Sequence, residues 1–151
     1  MARIKRDDKF RELEELGLFT RCTKREIEAV AHLCISLPVH EGYVLTTEGG
    51  VGQECFVVAE GTVRVSRAGF VVGHVGPGDL VGEVALLDGG RRTATVTAET
   101  PMTVYVLSMA EFWSMLAASS SVAAKIAVTL ARRLRTAETD ALRPLAVDGV
   151  A

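Results

Sequence analysis

The stretch that decides the reading is Val81-Gly82-Glu83-Val84-Ala85-Leu86-Leu87-Asp88-Gly89-Gly90-Arg91-Arg92-Thr93-Ala94-Thr95-Val96. Gly82 and Ala85 carry little or no side chain, so the backbone there can come close to a ligand. A short helix beginning near Glu83 would direct free amide groups at an anion. Arg92 offers a planar fork of donors that fits two phosphate oxygens, a geometry lysine cannot reproduce. Glu83 accepts hydrogen bonds only when ionised, so it suits a hydroxyl and repels a phosphate. A ligand with an anion at one end and a hydroxyl at the other would be oriented by that asymmetry.

Around this run, from Val39 to Leu107, the pattern is one of short β runs separated by glycine-rich turns. Tyr43–Thr46, Cys55–Ala59, Thr62–Ser66, Val71–Val75, Thr93–Ala98 and Thr103–Leu107 are rich in valine and threonine, as strands are. Glu60-Gly61, Ala68-Gly69 and Gly76-Pro77-Gly78-Asp79 punctuate them. Strands this short and this regularly spaced indicate a sandwich or jelly roll.

Helices flank the β region. Phe10 to Leu16 has a helical pattern that Gly17 breaks. Thr23-Lys24-Arg25-Glu26 has the form of a capping box, opening a helix over about Lys24 to Cys34 that Pro38 ends. Ser108-Met109-Ala110-Glu111 is a second such box, for a helix through about Ala118. Ser119 to Ser121 then supply a turn and cap for a long helix from about Val122 to Thr139. Its apolar seam is Val122, Ile126, Leu130, Leu134 and Ala137. At about 100° per residue Arg133 falls within that seam, while Arg132 and Arg135 project to the opposite side. The expected fold is mainly β, a jelly roll (double-stranded β-helix) with N-terminal helices and a long C-terminal helix. The expected divisions are an N-terminal helical segment 1–38, the jelly roll 39–107 containing the 81–96 run, C-terminal helices 108–140 and a flexible tail 141–151.

Composition sets bounds on partners. The 151 residues are 48% hydrophobic and 24% charged, which is ordinary for one globular domain. A net charge of −2 gives no general attraction to nucleic acid or to anionic membranes. Between Val39 and Glu111 nine acidic residues face four basic ones, two of which are Arg91 and Arg92. An anion would therefore be held by local groups. No transmembrane run and no secretory signal is visible, and Cys22, Cys34 and Cys55 are odd in number without CxxC spacing, so a reduced, cytoplasmic chain is expected. His32, His40 and His74 are scattered, which argues against a metal-binding cupin, the other common jelly roll. No catalytic pair or nucleophile elbow can be nominated, and an enzyme is not expected.

The 81–96 run resembles the phosphate-binding cassette of cyclic nucleotide-binding domains, the family of catabolite activators, protein kinase regulatory subunits and nucleotide-gated channels. Gly82, Glu83, Ala85, Leu86, Arg92, Thr93 and Ala94 fall in register with it. Glu41-Gly42, Glu48-Gly49 and Gly76-Pro77-Gly78-Asp79 resemble further family turns, so the likeness covers roughly Leu13 to Arg135. Arg91 stands where a proline is usual, and Val81 replaces a bulkier apolar residue.

The resemblance implies a ligand, 3′,5′-cyclic AMP ahead of cyclic GMP, and no cofactor or metal. Gly82, Glu83, Val84 and Ala85 would contact its sugar and phosphate. Arg92 would pair with the phosphate and Thr93 would add a hydroxyl, while Arg133 would either snorkel at the margin of the core or reach the purine as a ligand residue. The long helix would act as a lid read by a protein effector, with a homodimer as a further expectation. Too few residues follow Thr139 for the DNA-reading module of the activators, so a stand-alone sensor, or a piece of a longer protein, is expected. The rival expectation is a binding-silent module of the same fold that acts through its helices.

Overall fold

The computed structural model describes residues 6–142, with side chains from 8 to 139. Helix α1 spans Arg6–Glu15 and ends in a 3-10 turn, Gly17–Phe19. Helix α2, Lys24–Leu33, opens on the expected capping box. Thr23 Oγ1 accepts from the Glu26 amide, and the Glu26 carboxylate accepts from the Thr23 amide. Eight strands follow: β1 Ile35–Val39, β2 Val44–Thr46, β3 Glu54–Glu60, β4 Val63–Arg67, β5 Phe70–Val75, β6 Leu80–Val81, β7 Thr95–Ala98 and β8 Met102–Ser108. Helix α3, Glu83–Asp88, lies between β6 and β7. Helices α4, Met109–Ala118, and α5, Ser120–Leu142, close the described chain.

The strands form two four-stranded antiparallel sheets, ordered β1-β8-β3-β6 and β2-β7-β4-β5, which is the expected jelly roll. The central strands of the first sheet, β8 and β3, are buried on both faces and read accordingly as nearly continuous apolar runs. Phe56, Val58, Met102 and Val104 meet Val63 and Val96 of the second sheet. Cys55, Val57, Tyr105 and Leu107, on the opposite face, meet Leu13, Ile27, Val30, Phe112, Met115 and Val122 of the helices. The three cysteines are free. Burial pushes the Cys34 thiol up to about 11 and raises that of Cys55 further, so both behave as packing groups.

The structure departs from the sequence reading in four places. Ile35–Val39 is a strand, so the sheet begins before Pro38; the proline is tolerated because β1 is an edge strand, where a missing N–H costs no ladder bond. The two-residue β6 is too short to carry a periodic signal. Strand β7 begins at Thr95, leaving Thr93 in the preceding loop. Helix α5 runs on to Leu142, and the rest of the expected tail lies outside the described residues. The α5 seam also leaves the core partway: Val122 and Ile126 are buried, Leu130 is half-buried, and Leu134 is 61% exposed.

One polar knot fixes the base of α5. The Ser119 hydroxyl is fully buried, donates to Glu26 Oε2 and accepts from the Val122 amide at 3.2 Å. It thus caps α5 and ties it to α2. The Ser119 bond, then the Thr23 amide, hold the Glu26 carboxyl below its ordinary value near 4.5. A depressed carboxyl contributes stability above its unfolded pKa and loses it as pH falls through the folded value. Urea midpoints of the wild type should therefore fall from pH 6 to pH 3, and Glu26→Gln should flatten that fall. Ser119→Ala should cost about 1 kcal/mol at neutral pH, the usual loss of a helix cap. An unchanged pH dependence in Glu26→Gln would show that the knot does not titrate as described.

Candidate functional site

The site is built on the β6–α3 corner. Gly82 ends β6 with φ at +85° and caps α3. A left-handed backbone is cheap only for glycine. A Cβ here would also stand 2.7 Å from Arg92 Nη1. Helix α3 begins at Glu83, the position expected from sequence. Opposite it, residues 47–52 run alongside Arg91 and Arg92, with the Arg92 amide donating to the Gly50 carbonyl at 2.8 Å and the Gly49 amide to the Arg92 carbonyl at 2.9 Å. These bonds fix the backbone from which the Arg92 side chain enters the corner.

Arg92 is buried, with 7% of its surface exposed. Its Nη1 donates to the Gly82 carbonyl at 2.9 Å and its Nη2 to the Glu54 carbonyl at 2.7 Å. A guanidinium has five N–H donors, so donors remain for a ligand. Both partners are neutral carbonyls, and no carboxylate among the described residues lies within ion-pair distance of Arg92. Its positive charge is hydrogen-bonded but not cancelled. Burial lowers its pKa, with Glu54, Cys55 and Glu83 acting in the opposite direction. Arg91 is exposed, and its position pairs with Val51 in an isolated bridge.

A cavity of about 660 Å³ opens beside Arg92, within the roughly 300–1,000 Å³ typical of small-molecule sites. Gly82, Val84, Ala85, Arg92 and Thr93 border one end, β4 and β5 form a wall, and Leu130, Arg133, Leu134 and Ala137 of α5 border the other side. Six of the seven residues nominated from sequence are thus brought together. Glu83 is the exception. It is buried behind the corner and does not border this cavity, and its Oε1 accepts from Arg133 Nη1 at 2.7 Å. Arg132, expected on the opposite side of α5, borders the cavity as well, because a long side chain at the edge of a helix face reaches around it.

Sequence reading missed Gly52 and the Glu54 carbonyl. A Cβ on Gly52 would stand 2.5 Å from the Ala85 Cβ and 3.4 Å from Arg92 Nη1. The GxG spacing of Gly50 and Gly52 next to the long β3 run was the available signal. Among the described residues no three of His, Cys, Asp and Glu gather in a metal-binding group. No single helix among them is long and apolar enough to cross a membrane.

A two-sheet jelly roll with a glycine-capped short helix, a buried arginine and a helix-covered cavity defines a ligand-binding regulatory domain. The sequence model of the cyclic nucleotide-binding domain matches residues 37–119, and the chain belongs to that family. It is 32% identical over 105 residues to the cyclic AMP receptor protein of Thermus thermophilus, covering 66% of this chain and 49% of that one. It is 35% identical over 89 residues to a cGMP-dependent protein kinase of Caenorhabditis elegans, covering 59% of this chain and 11% of the kinase. The chain therefore spans about half the length of the first relative and about a tenth of the second. Among solved structures, the catabolite activator protein of Thermus thermophilus superposes with a TM-score of 0.74 at 29% identity, over 82% of this chain and 61% of that one.

Gly52→Ala should overpack the Arg92 corner and cost roughly 1–3 kcal/mol of stability. Chemical denaturation measures this, with Gly50→Ala as a comparison at a contact of 2.9 Å to the Thr47 carbonyl. Wild-type stability in Gly52→Ala would show that the corner relaxes freely.

Proposed function

We propose that this chain is a regulatory module that binds 3′,5′-cyclic AMP and is not itself an enzyme. The observation that carries this reading is Arg92: a buried, uncancelled cation with free donors, facing a nucleotide-sized cavity beside the first turn of α3. The phosphate takes those donors together with amides at Gly82 to Ala85. Thr93, exposed at the cavity edge, adds its hydroxyl. The purine extends toward α5 and is covered by Leu130, Leu134 and Ala137. Leu134 is mostly exposed, and covering the purine buries it. That burial gives α5 a reason to prefer a docked state when ligand is present, at about 25 cal/mol per Å² of apolar area. An effector would read the position of α5.

Cyclic GMP is the second ligand reading, favoured by Thr93, whose hydroxyl suits the guanine amino group. The binding-silent reading is favoured by the two carbonyl contacts that already engage Arg92. Isothermal titration with both nucleotides separates all three. Cyclic AMP is expected to bind more tightly, and Arg92→Ala to weaken it by about 2–5 kcal/mol, since a buried charge pair loses one member. Arg91→Ala should cost well under half of that. Because Arg92→Ala also strips two carbonyls of their donor, Arg92→Lys serves as a second variant that keeps a charge but not the fork. Absence of heat with either nucleotide in a folded wild type would leave the silent module standing.

The Glu83–Arg133 pair has two roles open to it, and a variant cycle distinguishes them. Arg133→Ala leaves Glu83 buried, charged and unpaired near the phosphate site, which weakens binding whether or not Arg133 touches the purine. Adding Glu83→Gln removes that charge. If Arg133 only neutralises Glu83, the double variant binds as tightly as Glu83→Gln alone. If Arg133 stacks on the purine, a loss of roughly 1–3 kcal/mol relative to Glu83→Gln persists. The stacking contact is expected, so that loss should persist, and equal affinities of the double variant and Glu83→Gln would refute it. A ribose contact by Glu83 requires its carboxylate to turn toward the cavity. In that case Glu83→Gln penalises cyclic AMP more than its 2′-deoxy analogue.

A further inference from the structure

A second cavity lies on the other side of α5. It has a volume of about 860 Å³ and is formed by the 3-10 turn, the Gly78–Leu80 turn and the first half of α5. Its rim is cationic in a chain of net charge −2: Arg21, Lys125, Arg132 and Arg133 face Asp79 and Glu83. Glu83 is already paired with Arg133. Among the described residues Lys125 donates to two neutral oxygens, the Gly17 carbonyl and Thr20 Oγ1. Among the described residues neither Arg21, Lys125 nor Arg132 has a carboxylate within ion-pair distance. Lys125, Thr129 and Arg132 lie at spacings of four and three along one helix face, so the two cations stand about 10 Å apart along the axis with a hydroxyl between them.

We infer that this groove is a second, anionic-effector site, taking a compact polyanion of phosphate chemistry and opposing nucleotide binding. The rim offers donors in excess, which selects a ligand made of acceptors. Arg21 and Arg132, the two rim arginines other than the Glu83-paired Arg133, carry a fork that matches phosphate oxygens. The volume is that of a small-molecule site. The opposition follows from shared residues: Leu80, Arg132 and Arg133 border both cavities. A polyanion in the groove draws Arg132 and Arg133 to its own side of α5, and its charge repels a phosphate held at Arg92. Both effects have the same sign. Linkage requires the opposition to be reciprocal, so nucleotide weakens polyanion binding by the same factor.

The binding half of this inference is independent of the proposed nucleotide function; the opposition rests on it. The test is calorimetry of the whole chain with inorganic tripolyphosphate at low salt, first without nucleotide. Tripolyphosphate should bind, and Arg21→Glu, a change at an exposed residue that does not border the Arg92 cavity, should weaken it at least tenfold while leaving cyclic AMP affinity within twofold. Arg92→Ala should leave tripolyphosphate affinity within twofold. The reverse pattern, loss with Arg92→Ala and none with Arg21→Glu, would place the anion in the cassette and overturn the inference, as would no binding in a correctly folded wild type. Cyclic AMP affinity at saturating tripolyphosphate should then fall by roughly fivefold or more, the lower end of ordinary coupling. Unchanged or tighter cyclic AMP binding there overturns the opposition. A chain that binds tripolyphosphate through Arg21 but neither nucleotide refutes the cassette reading and leaves the groove intact.

Discussion

The structure turns on how one buried charge is held. Arg92 gives one hydrogen bond to the Gly82 carbonyl and one to the Glu54 carbonyl. Carbonyls satisfy donors without cancelling charge. A carboxylate partner would have been the cheaper way to bury a guanidinium, and it would also have removed the attraction for an anion. The surrounding geometry follows from this choice. Gly82 must be left-handed to turn its carbonyl to the guanidinium, and Gly52 must lack a side chain so that Ala85 and Arg92 can meet. Residues 47–52 must pair with residues 91–92 to bring the arginine in.

The acidic side chain of the same corner is treated in the opposite way. Glu83 begins α3 one residue from Gly82, close enough to compete electrostatically with any anion bound there. Its pairing to Arg133 removes most of that competition. The partner comes from a helix 50 residues away, whose outer half carries few core contacts of its own. The charge state of the pocket is thereby coupled to where α5 lies. Movement of α5 away from the corner would unmask a buried carboxylate beside the proposed anion site. In the proposed function, helix position and anion affinity are then linked by electrostatics alone, before any contact with a base is considered.

Much of this was legible in sequence, and the reasons differ by element. The two capping boxes at Thr23 and Ser108 formed as read because all their partners lie within four residues. The α3 start and its glycine cap are local in the same sense. The pairing of Glu83 with Arg133 was not legible, since it depends on how far α5 tilts over the sheets, a tertiary quantity. Sequence placed Arg133 on the inward face, to snorkel at the core margin or reach the purine, while the structure pairs it with the Glu83 carboxylate. Pro38 misled for a related reason: whether a proline ends an element or sits within it depends on whether its strand is an edge, which only the sheet order decides.

The seam of α5 shows what the periodic signal does and does not contain. Val122, Ile126, Leu130 and Leu134 are spaced alike, and sequence cannot tell them apart. In the structure they grade from fully buried to mostly exposed along a helix roughly 35 Å long, because the core ends where the cavity begins. An apolar residue kept mostly exposed at the mouth of a cavity contributes little to the fold through burial. It becomes stabilising only in a state where something fills the space beneath it. A helix of uniform pattern and graded burial is therefore anchored at one end by Ser119 and Glu26, and in the proposed function its other end answers to what occupies the cavity below.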